Sequence, residues 1–202
     1  MDALMRWRAR GIIGRIALLL RQGDSVLDVG SGTGHNGERL RRACGVRVAQ
    51  ADIVDFSTVG PRPTLFDGRR LPFTDAQFEA VTLIYVLHYV EEPVAFLREA
   101  RRVSRSRVVL VQVTCDGRAG LGLHWCNEWI SRMGFHTARF FGLIDRVRCP
   151  LDYRRSFSRD SVLAAARQAG LHPESIKSER LLGGLPISRL TCSLRPVARR
   201  NG

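Results

Sequence analysis

Short apolar runs alternate with helical patterns along most of this chain. Runs of aliphatic and β-branched residues are typical of strands, whereas apolar residues three and four positions apart are typical of helices. Strands are predicted at residues 25–29, 46–51, 64–66, 78–85, 107–114, 175–182 and 187–194. Helices are predicted at residues 1–22, 34–44, 94–103 and 158–169. Such alternation is typical of βαβ units, so we expect one α/β domain over residues 1–202 with a mostly parallel sheet.

The segment 1–22 is predicted to be an amphipathic helix. Arginines are spread through it and no small-residue cleavage site follows, which argues against a secretory signal. Its apolar residues lie at helical spacing: Leu4, Trp7, Ile12, Ile16 and Leu19. We expect this helix to pack on the domain, and the alternative is peripheral contact with a membrane surface.

The charge of the chain is less ordinary than its size. With 202 residues, 45% hydrophobic and 25% charged, the composition is that of a globular domain and excludes disordered and fibrous classes. Lys and Arg number 32 against 19 Asp and Glu, a net charge of +13 that points toward nucleic acid or an acidic membrane. Lys177 is the one lysine, which indicates a compositional bias toward arginine rather than selected phosphate contacts.

The cysteines favour a reducing compartment. They are odd in number and scattered, with no C-x-x-C pair: Cys44, Cys115, Cys126, Cys149 and Cys192. This pattern supports neither a disulfide framework nor a zinc site. No apolar run approaches the roughly 18 residues of a membrane-spanning helix. We therefore expect a cytoplasmic protein with no metal site.

A glycine-rich loop, DVGSGTG at residues 28–34, follows the first predicted strand and leads into a helix. Glycines at alternate positions allow a sharp turn and close approach of a ligand. The N–H groups at the start of the helix can receive an anion. Gly32, Gly34 and Gly37 also satisfy G-x-G-x-x-G, the dinucleotide fingerprint, which by itself is a weak signal.

Two carboxylates narrow the choice of ligand. Asp28 stands two residues before Gly30, where it would repel a pyrophosphate and favour a cation such as a sulfonium with an ammonium group. Asp52 follows the second predicted strand and can accept hydrogen bonds from both hydroxyls of a ribose. Dinucleotide and S-adenosylmethionine sites share that ribose contact, so only Asp28 discriminates between them.

Together with these acids, FDGRRLPF at 66–73 and FEAV at 78–81 make the sequence resemble class I S-adenosylmethionine-dependent methyltransferases. The closest branch is the small-molecule one typified by ubiquinone/menaquinone C-methyltransferases. The likeness runs from residue 25 to residue 113 and includes VLHYV at 86–90. It implies a doubly wound, Rossmann-like α/β fold with a seven-stranded, mostly parallel sheet and a substrate-covering insertion after the fifth strand. It also implies S-adenosyl-L-methionine as cofactor and S-adenosyl-L-homocysteine as product.

The resemblance implies a role for each residue of the cofactor site. The methionine part would be held by Asp28, Gly30, Ser31, Gly32 and Gly34, the ribose by Asp52, and the adenine by Ile53, Asp67 and Gly68. Tyr85 would border the methyl group. The family's Gly-Gly turn before the fifth strand is replaced by SRSR at 104–107, and Glu79 stands where aspartate is common.

The catalytic residues are less well defined. Methyl transfer is an in-line displacement, so a base is needed only where the nucleophile carries a proton of high pKa. His88, beside Tyr85, is the nearest candidate base, and the alternative is a packing role. Residues 115–157 are rich in aromatics and follow no period, as expected for either a lid or a small satellite core. If this segment is a lid, His124 or His136 is a further candidate base.

We expect methyl transfer to a small-molecule acceptor, an aromatic or hydrophobic metabolite. One alternative is an RNA methyltransferase that uses the arginine-rich surface. Against it, neither an Asp/Asn-Pro-Pro-Tyr/Phe motif after the fourth strand nor a Pro-Cys pair is present. The other alternative is a non-catalytic protein that retains the cofactor fold.

Overall fold

A computed structural model describes residues 2–115, 155–181 and 187–197, and the described strands form one seven-stranded sheet in the order β3-β2-β1-β4-β5-β7-β6. The strands are β1 (Ser25–Val29), β2 (Arg47–Asp52), β3 (Thr64–Leu65), β4 (Phe78–Ile84), β5 (Ser104–Cys115), β6 (Leu171–Arg180) and β7 (Ile187–Pro196). The first five strands pair in parallel, while β7 lies antiparallel between β5 and β6. The predicted seven-stranded, mostly parallel sheet is confirmed.

Four helices are described, one before β1 and three between strands. They are α1 (Asp2–Ile16), α2 (His35–Cys44), α3 (Pro93–Val103) and α4 (Arg159–Gln168). Two 3₁₀ turns, Ala17–Leu19 and Leu87–Tyr89, follow α1 and β4. Within the described residues, no helix is long and apolar enough to cross a membrane.

The core lies on both faces of the sheet. Residues that alternate along one strand contribute to opposite faces: Leu27 belongs to one buried cluster and its neighbour Val26 to the other. The first cluster includes Leu97 of α3 and Val162 of α4, whereas the second includes residues of α1 and α2, such as Leu40. Helices on both faces make the fold doubly wound.

The chain reverses its direction of travel across the sheet between β1 and β4. From β1 it moves outward to β2 and β3, and then it returns to place β4 on the other side of β1. In open α/β sheets, ligands bind outside the carboxyl ends of the strands at such a switch point. We therefore expect a ligand site at the edge of the sheet where β1, β2 and β4 end.

The apolar face predicted for α1 is only partly correct. Ile12 and Ile16 are buried as expected, but Trp7 is 71% exposed. Trp7 stands five residues before Ile12, which places it roughly 140° away around the helix. The buried stripe runs instead through Ala9, Ile12, Ile13 and Ile16, at the spacing of one helix face. Leu19 is partly buried, and the side chain of Leu4 lies outside the described part of the chain.

Two strands begin earlier than predicted. β5 begins at Ser104, directly after α3 ends at Val103, rather than at residue 107. β6 begins at Leu171 rather than at residue 175, and its register shifts between Pro173 and Ser175. A proline is tolerated there because β6 is an edge strand and the shift removes the need for a ladder hydrogen bond.

The predicted insertion at 115–157 lies almost wholly outside the described residues, and so do His124 and His136. Its ends are described. The Cys115 N–H donates a hydrogen bond of 2.8 Å to the carbonyl of Phe157, so the chain leaves β5 and returns beside it. The proposed lid and its two histidines stay predictions.

Candidate functional site

A cleft of about 860 Å³ opens where β1, β2 and β4 end. Of the residues implied for the cofactor site, seven line it: Gly30, Gly32, Asp52, Ile53, Asp67, Gly68 and Tyr85. They come from four separate stretches of the chain, and the parallel strand order brings them together. Asp28, Ser31, Gly34 and His88 are not among its lining residues.

The glycine loop turns at the mouth of the cleft. Gly32 has φ +54°, and a Cβ there would meet no atom within 4 Å, so open space lies beside this backbone. Gly34 has φ +83°, and a Cβ there would lie 2.2 Å from the carbonyl oxygen of Val59. Gly32 therefore leaves room for a ligand, whereas Gly34 is required for packing against the loop after β2.

Asp52, at the end of β2, connects that strand to the glycine loop. Its Oδ2 accepts a 2.8 Å hydrogen bond from the N–H of Gly32, and its Oδ1 accepts a 2.7 Å bond from the N–H of Ile53. Burial raises the pKa of this carboxyl, and the backbone hydrogen bonds oppose that rise. The Asp52 carboxyl thus lies at the cleft wall and accepts hydrogen bonds from backbone N–H groups, and its predicted contact with a ribose stays a prediction.

Asp28 and Ser31 lie behind the loop rather than in the cleft. The Thr82 hydroxyl donates a 2.8 Å hydrogen bond to Oδ1 of Asp28, while Oδ2 of Asp28 and the Ser31 hydroxyl are buried without a hydrogen-bond partner among the described residues. Burial raises the pKa of Asp28 to about 7. Asp28 does not line the cleft, and its predicted contact with a cationic ligand stays a prediction.

Asp67 and Gly68 line the cleft beside the end of β2, where the Phe66 N–H donates a hydrogen bond to the Asp52 carbonyl. Its Oδ1 accepts hydrogen bonds of 2.9 and 2.8 Å from the N–H groups of Arg69 and Arg70. These bonds, with the Arg70 N–H foremost, lower the pKa of Asp67. Ile53 lies across from Gly68, with its Cγ2 3.3 Å from where a Cβ of that glycine would be. Ile53 and Gly68 therefore form an apolar surface beside the charged carboxylate of Asp67.

Tyr85 follows β4 in an unusual conformation. Its φ is +56°, in the left-handed region that non-glycine residues rarely adopt and that is enriched at functional sites. Its hydroxyl accepts a 2.7 Å hydrogen bond from Nε of Arg189 in β7. The side chain is thereby fixed while the residue borders the cleft.

His88 is buried in the 3₁₀ turn after Tyr85. Nε2 of Gln112 lies 2.9 Å from its Nδ1 and 3.3 Å from the carbonyl of Val113. If the Gln112 amide donates to both, Nδ1 of His88 is an acceptor and the ring proton sits on Nε2. This arrangement fits the packing alternative better than a base that faces the cleft.

The sequence motifs assign no role to the other residues that line the cleft. That wall is mostly apolar and aromatic, with two further acids: Phe56, Phe66, Val86, Tyr89, Val90, Glu91, Glu92 and Phe96. The signal that could have identified some of these residues is their position in the sequence, since residues 86–92 directly follow Tyr85. Four acids line the cleft (Asp52, Asp67, Glu91 and Glu92) against one arginine, Arg69. Inside a chain of net charge +13, this cleft is therefore acidic.

The described residues contain no group of three or more histidine, cysteine, aspartate or glutamate side chains that could hold a metal ion. Cys44, Cys115 and Cys192 are free thiols.

Comparison with known proteins finds methyltransferases that this chain resembles. A methyltransferase domain model matches residues 27–111. A demethylmenaquinone methyltransferase of Corynebacterium urealyticum is 36% identical over 103 residues, which cover 49% of this chain and 44% of that protein. The chain thus spans less than half the length of this curated relative.

Solved structures share the fold over nearly the whole chain. A putative methyltransferase from Bacillus halodurans superposes with a TM-score of 0.66 at 16% identity, covering 93% of this chain and 98% of the other. A geranyl diphosphate methyltransferase in complex with SAM gives a TM-score of 0.64 at 15% identity, covering 95% and 85% of the two chains.

Proposed function

We propose that this chain, a class I S-adenosylmethionine-dependent methyltransferase by its domain and fold, methylates a small aromatic or hydrophobic acceptor. One observation carries the proposal. The glycine loop, the carboxyl of Asp52 and an apolar, aromatic wall all border a single cleft at the switch point of the sheet.

The residues present fit the cofactor. S-adenosylmethionine carries a sulfonium and an ammonium group, and the surplus of acids around the cleft favours such a cation. Open space beside Gly32 leaves room for its chain, and Asp52 is placed to accept from ribose hydroxyls. Ile53, Asp67 and Gly68 would hold the adenine. When bound, the cofactor would supply a methyl group on positively charged sulfur, and S-adenosyl-L-homocysteine would be the leaving group when the acceptor bonds to the methyl carbon.

The chain's own contribution is alignment and exclusion of water. Phe56, Phe66, Tyr89 and Phe96 supply an apolar wall against which a planar or hydrophobic acceptor can pack. Tyr85, held by Arg189, borders the space between the glycine loop and that wall. In-line displacement needs this alignment more than it needs a base. Among the histidines, His88, His124 and His136 stay candidate bases for an acceptor of high pKa.

Two further observations support a small-molecule acceptor. Two of the similar proteins are named for small molecules, demethylmenaquinone and geranyl diphosphate. The segment between Cys115 and Phe157 leaves and returns at the carboxyl end of β5, on the same edge of the sheet as the cleft. The lid that we propose for residues 115–157 would start and end beside an acceptor bound in the cleft.

Binding of S-adenosyl-L-homocysteine, followed by calorimetry, tests the cofactor site. We expect Asp52→Ala to weaken binding by about tenfold or more, because a charge-assisted hydrogen bond to the ribose is lost. The matched control is Asp55→Ala, which removes a partly buried carboxylate three residues away that accepts hydrogen bonds from Ser57 and does not line the cleft.

The control variant should bind like the wild type. Circular dichroism establishes that Asp52→Ala is folded, since this variant also loses the bond from Gly32. Absence of heat with the wild type, or equal affinity in Asp52→Ala and Asp55→Ala, would contradict the proposal. NAD(H) binding of comparable strength would favour a dinucleotide site instead.

A further inference from the structure

A second, smaller cavity lies on the other face of the sheet, between α1, α2 and the loop after β2. Its volume is about 350 Å³, at the lower end of the range for small-molecule sites. It is lined by Arg6, Ala9, Arg10, His35, Glu38, Arg39, Arg42, Val59 and Gly60. None of these residues lines the acidic cleft, so the two spaces are separate.

The charge of this cavity is opposite to that of the cleft. Four arginines line it against a single described acid, Glu38. Glu38 is itself matched, since its two carboxylate oxygens each lie 2.5 Å from a guanidinium nitrogen, one of Arg41 and one of Arg42. Arg10 and Arg39 therefore add positive charge that Glu38 does not offset. A cavity with this surplus stabilises an anion.

The wall of the cavity is built into the fold. The N–H groups of Thr58 and Val59 donate to the carbonyl of Thr33 at 3.1 and 3.3 Å, which fixes the 58–60 loop to the end of the glycine loop. Nδ1 of His35 lies 2.9 Å from the Thr33 hydroxyl. On the other side, α1 is held by its buried face, of which Ala9 reaches the cavity. The arginines are thus mounted on two helices with a fixed spacing.

We propose that this cavity binds a small phosphate-bearing anion of the pyrophosphate class, at a site separate from the methyl-transfer cleft. Guanidinium groups match phosphate oxygens in bidentate geometry, and several arginines on facing helices suit a ligand with more than one anionic oxygen. The volume fits a diphosphate or a phosphorylated small molecule.

Calorimetric titration with inorganic pyrophosphate, at low salt and with S-adenosylhomocysteine at saturation, tests the site. We expect one pyrophosphate per chain and a loss of about tenfold or more in Arg39→Gln/Arg42→Gln, because two charge-assisted contacts are removed. The control Arg105→Gln/Arg195→Gln removes the same charge from exposed arginines outside the cavity and should bind within about twofold of the wild type.

Each other outcome counts against the site. Absence of pyrophosphate binding by the wild type overturns it, and an equal loss in both double variants shows a general effect of positive charge. Displacement of pyrophosphate by S-adenosylhomocysteine places the anion in the cleft. Binding of a single-stranded RNA oligonucleotide that depends on Arg39 and Arg42, without pyrophosphate binding, assigns the surface to nucleic acid. Both double variants should keep S-adenosylhomocysteine affinity, so failure here is distinct from failure of the proposed methyltransferase function.

Discussion

Asp28 carries a carboxyl group that is almost wholly buried at the end of β1. Burial is the main cause that raises its pKa from 3.8 to about 7, and the negative charge of Asp52 adds to the rise. The hydrogen bond from Thr82 opposes the rise without cancelling it. In the folded protein the group is therefore protonated through the mildly acidic range, whereas in the unfolded chain it is ionised.

This difference sets a sign for the pH dependence of stability. Between pH 3.8 and about 7 the folded state holds a proton that the unfolded state has released. The contribution of Asp28 to the free energy of unfolding therefore falls as pH rises, by about 1 kcal/mol per pH unit. We expect Asp28→Asn to remove this slope in the ligand-free protein. Urea unfolding at pH 5, 6 and 7 measures it.

Asp55→Asn is the control for the Asp28→Asn variant. Hydrogen bonds from Ser57 lower the pKa of Asp55, so its contribution is lost as pH falls below its ordinary range and is constant above it. That variant should keep the wild-type slope between pH 5 and 7. If Asp28→Asn also keeps it, the carboxyl of Asp28 is ionised in the fold.

Among the elements, the loop between β3 and β4 is fixed to α3 by two side chains, Arg102 and Glu99. The Arg102 guanidinium donates to Glu99 at 2.6 Å, to Asp75 at 2.8 Å, and to the carbonyls of Leu71 and Phe73 at 3.0 and 2.8 Å. Glu99 in turn accepts a 2.9 Å bond from the N–H of Leu71, and Arg102 lowers the pKa of its carboxyl. A loop that starts at the lip of the cleft is thereby anchored to a helix.

Arg102→Lys should destabilise the protein by about 2 kcal/mol, because an ammonium group cannot reach these acceptors in the planar geometry of a guanidinium. Arg101→Lys is the matched control, since Arg101 bonds to one described acceptor, the Val197 carbonyl at 2.8 Å. We expect that change to cost less than about 0.5 kcal/mol. Denaturant titration separates the two, and equal losses would show that Arg102 acts as one surface charge among many.

The elements differ in how far the sequence predicts them. β1, β4 and β5 are buried strands, and their continuous apolar runs identify them locally. The start of β6 is missed because the strand is largely exposed and its first residues pair with β7 across a register shift. Edge strands of this kind are defined by a partner distant in sequence rather than by their own pattern.

For the whole molecule, the motif spacing predicts the place of the site better than the direction of its side chains. The parallel order of β1, β2 and β4 gathers Gly32, Asp52 and Tyr85 at one edge, as the motifs imply. The carboxyl of Asp28 accepts a hydrogen bond from the hydroxyl of Thr82 in β4, which is 54 residues away in the sequence. Side-chain direction along a strand depends on the register with its neighbour, which the glycine motif does not encode.

The net charge of the chain does not describe the charge around the cleft or around the smaller cavity. The total of +13 is distributed unevenly over the described residues, since acids gather around the cleft and arginines around the smaller cavity. A cationic cofactor and an anionic ligand are thus favoured at separate places. Net charge alone cannot describe such an arrangement, since the local field depends on which few side chains surround each cavity.

The helix α1 completes the hydrophobic core on one face of the sheet. Ile13 and Ile16 are fully buried there in a cluster with Val109 and Val111 of β5 and Leu40 of α2. Without α1 this face of the central strands would be exposed to water, so the helix belongs to the cooperative unit of the fold rather than to a separate arm.

Ile16→Ala should therefore lower the free energy of unfolding by about 3 kcal/mol, through lost burial and the cavity left behind. Trp7→Ala on the same helix should change it by less than about 0.5 kcal/mol, because Trp7 is 71% exposed. Urea unfolding of the full chain measures both. A large loss in Trp7→Ala would mean that Trp7 belongs to the buried face, as its spacing in the sequence first suggests. A negligible loss in Ile16→Ala would contradict the packing of α1 against β5.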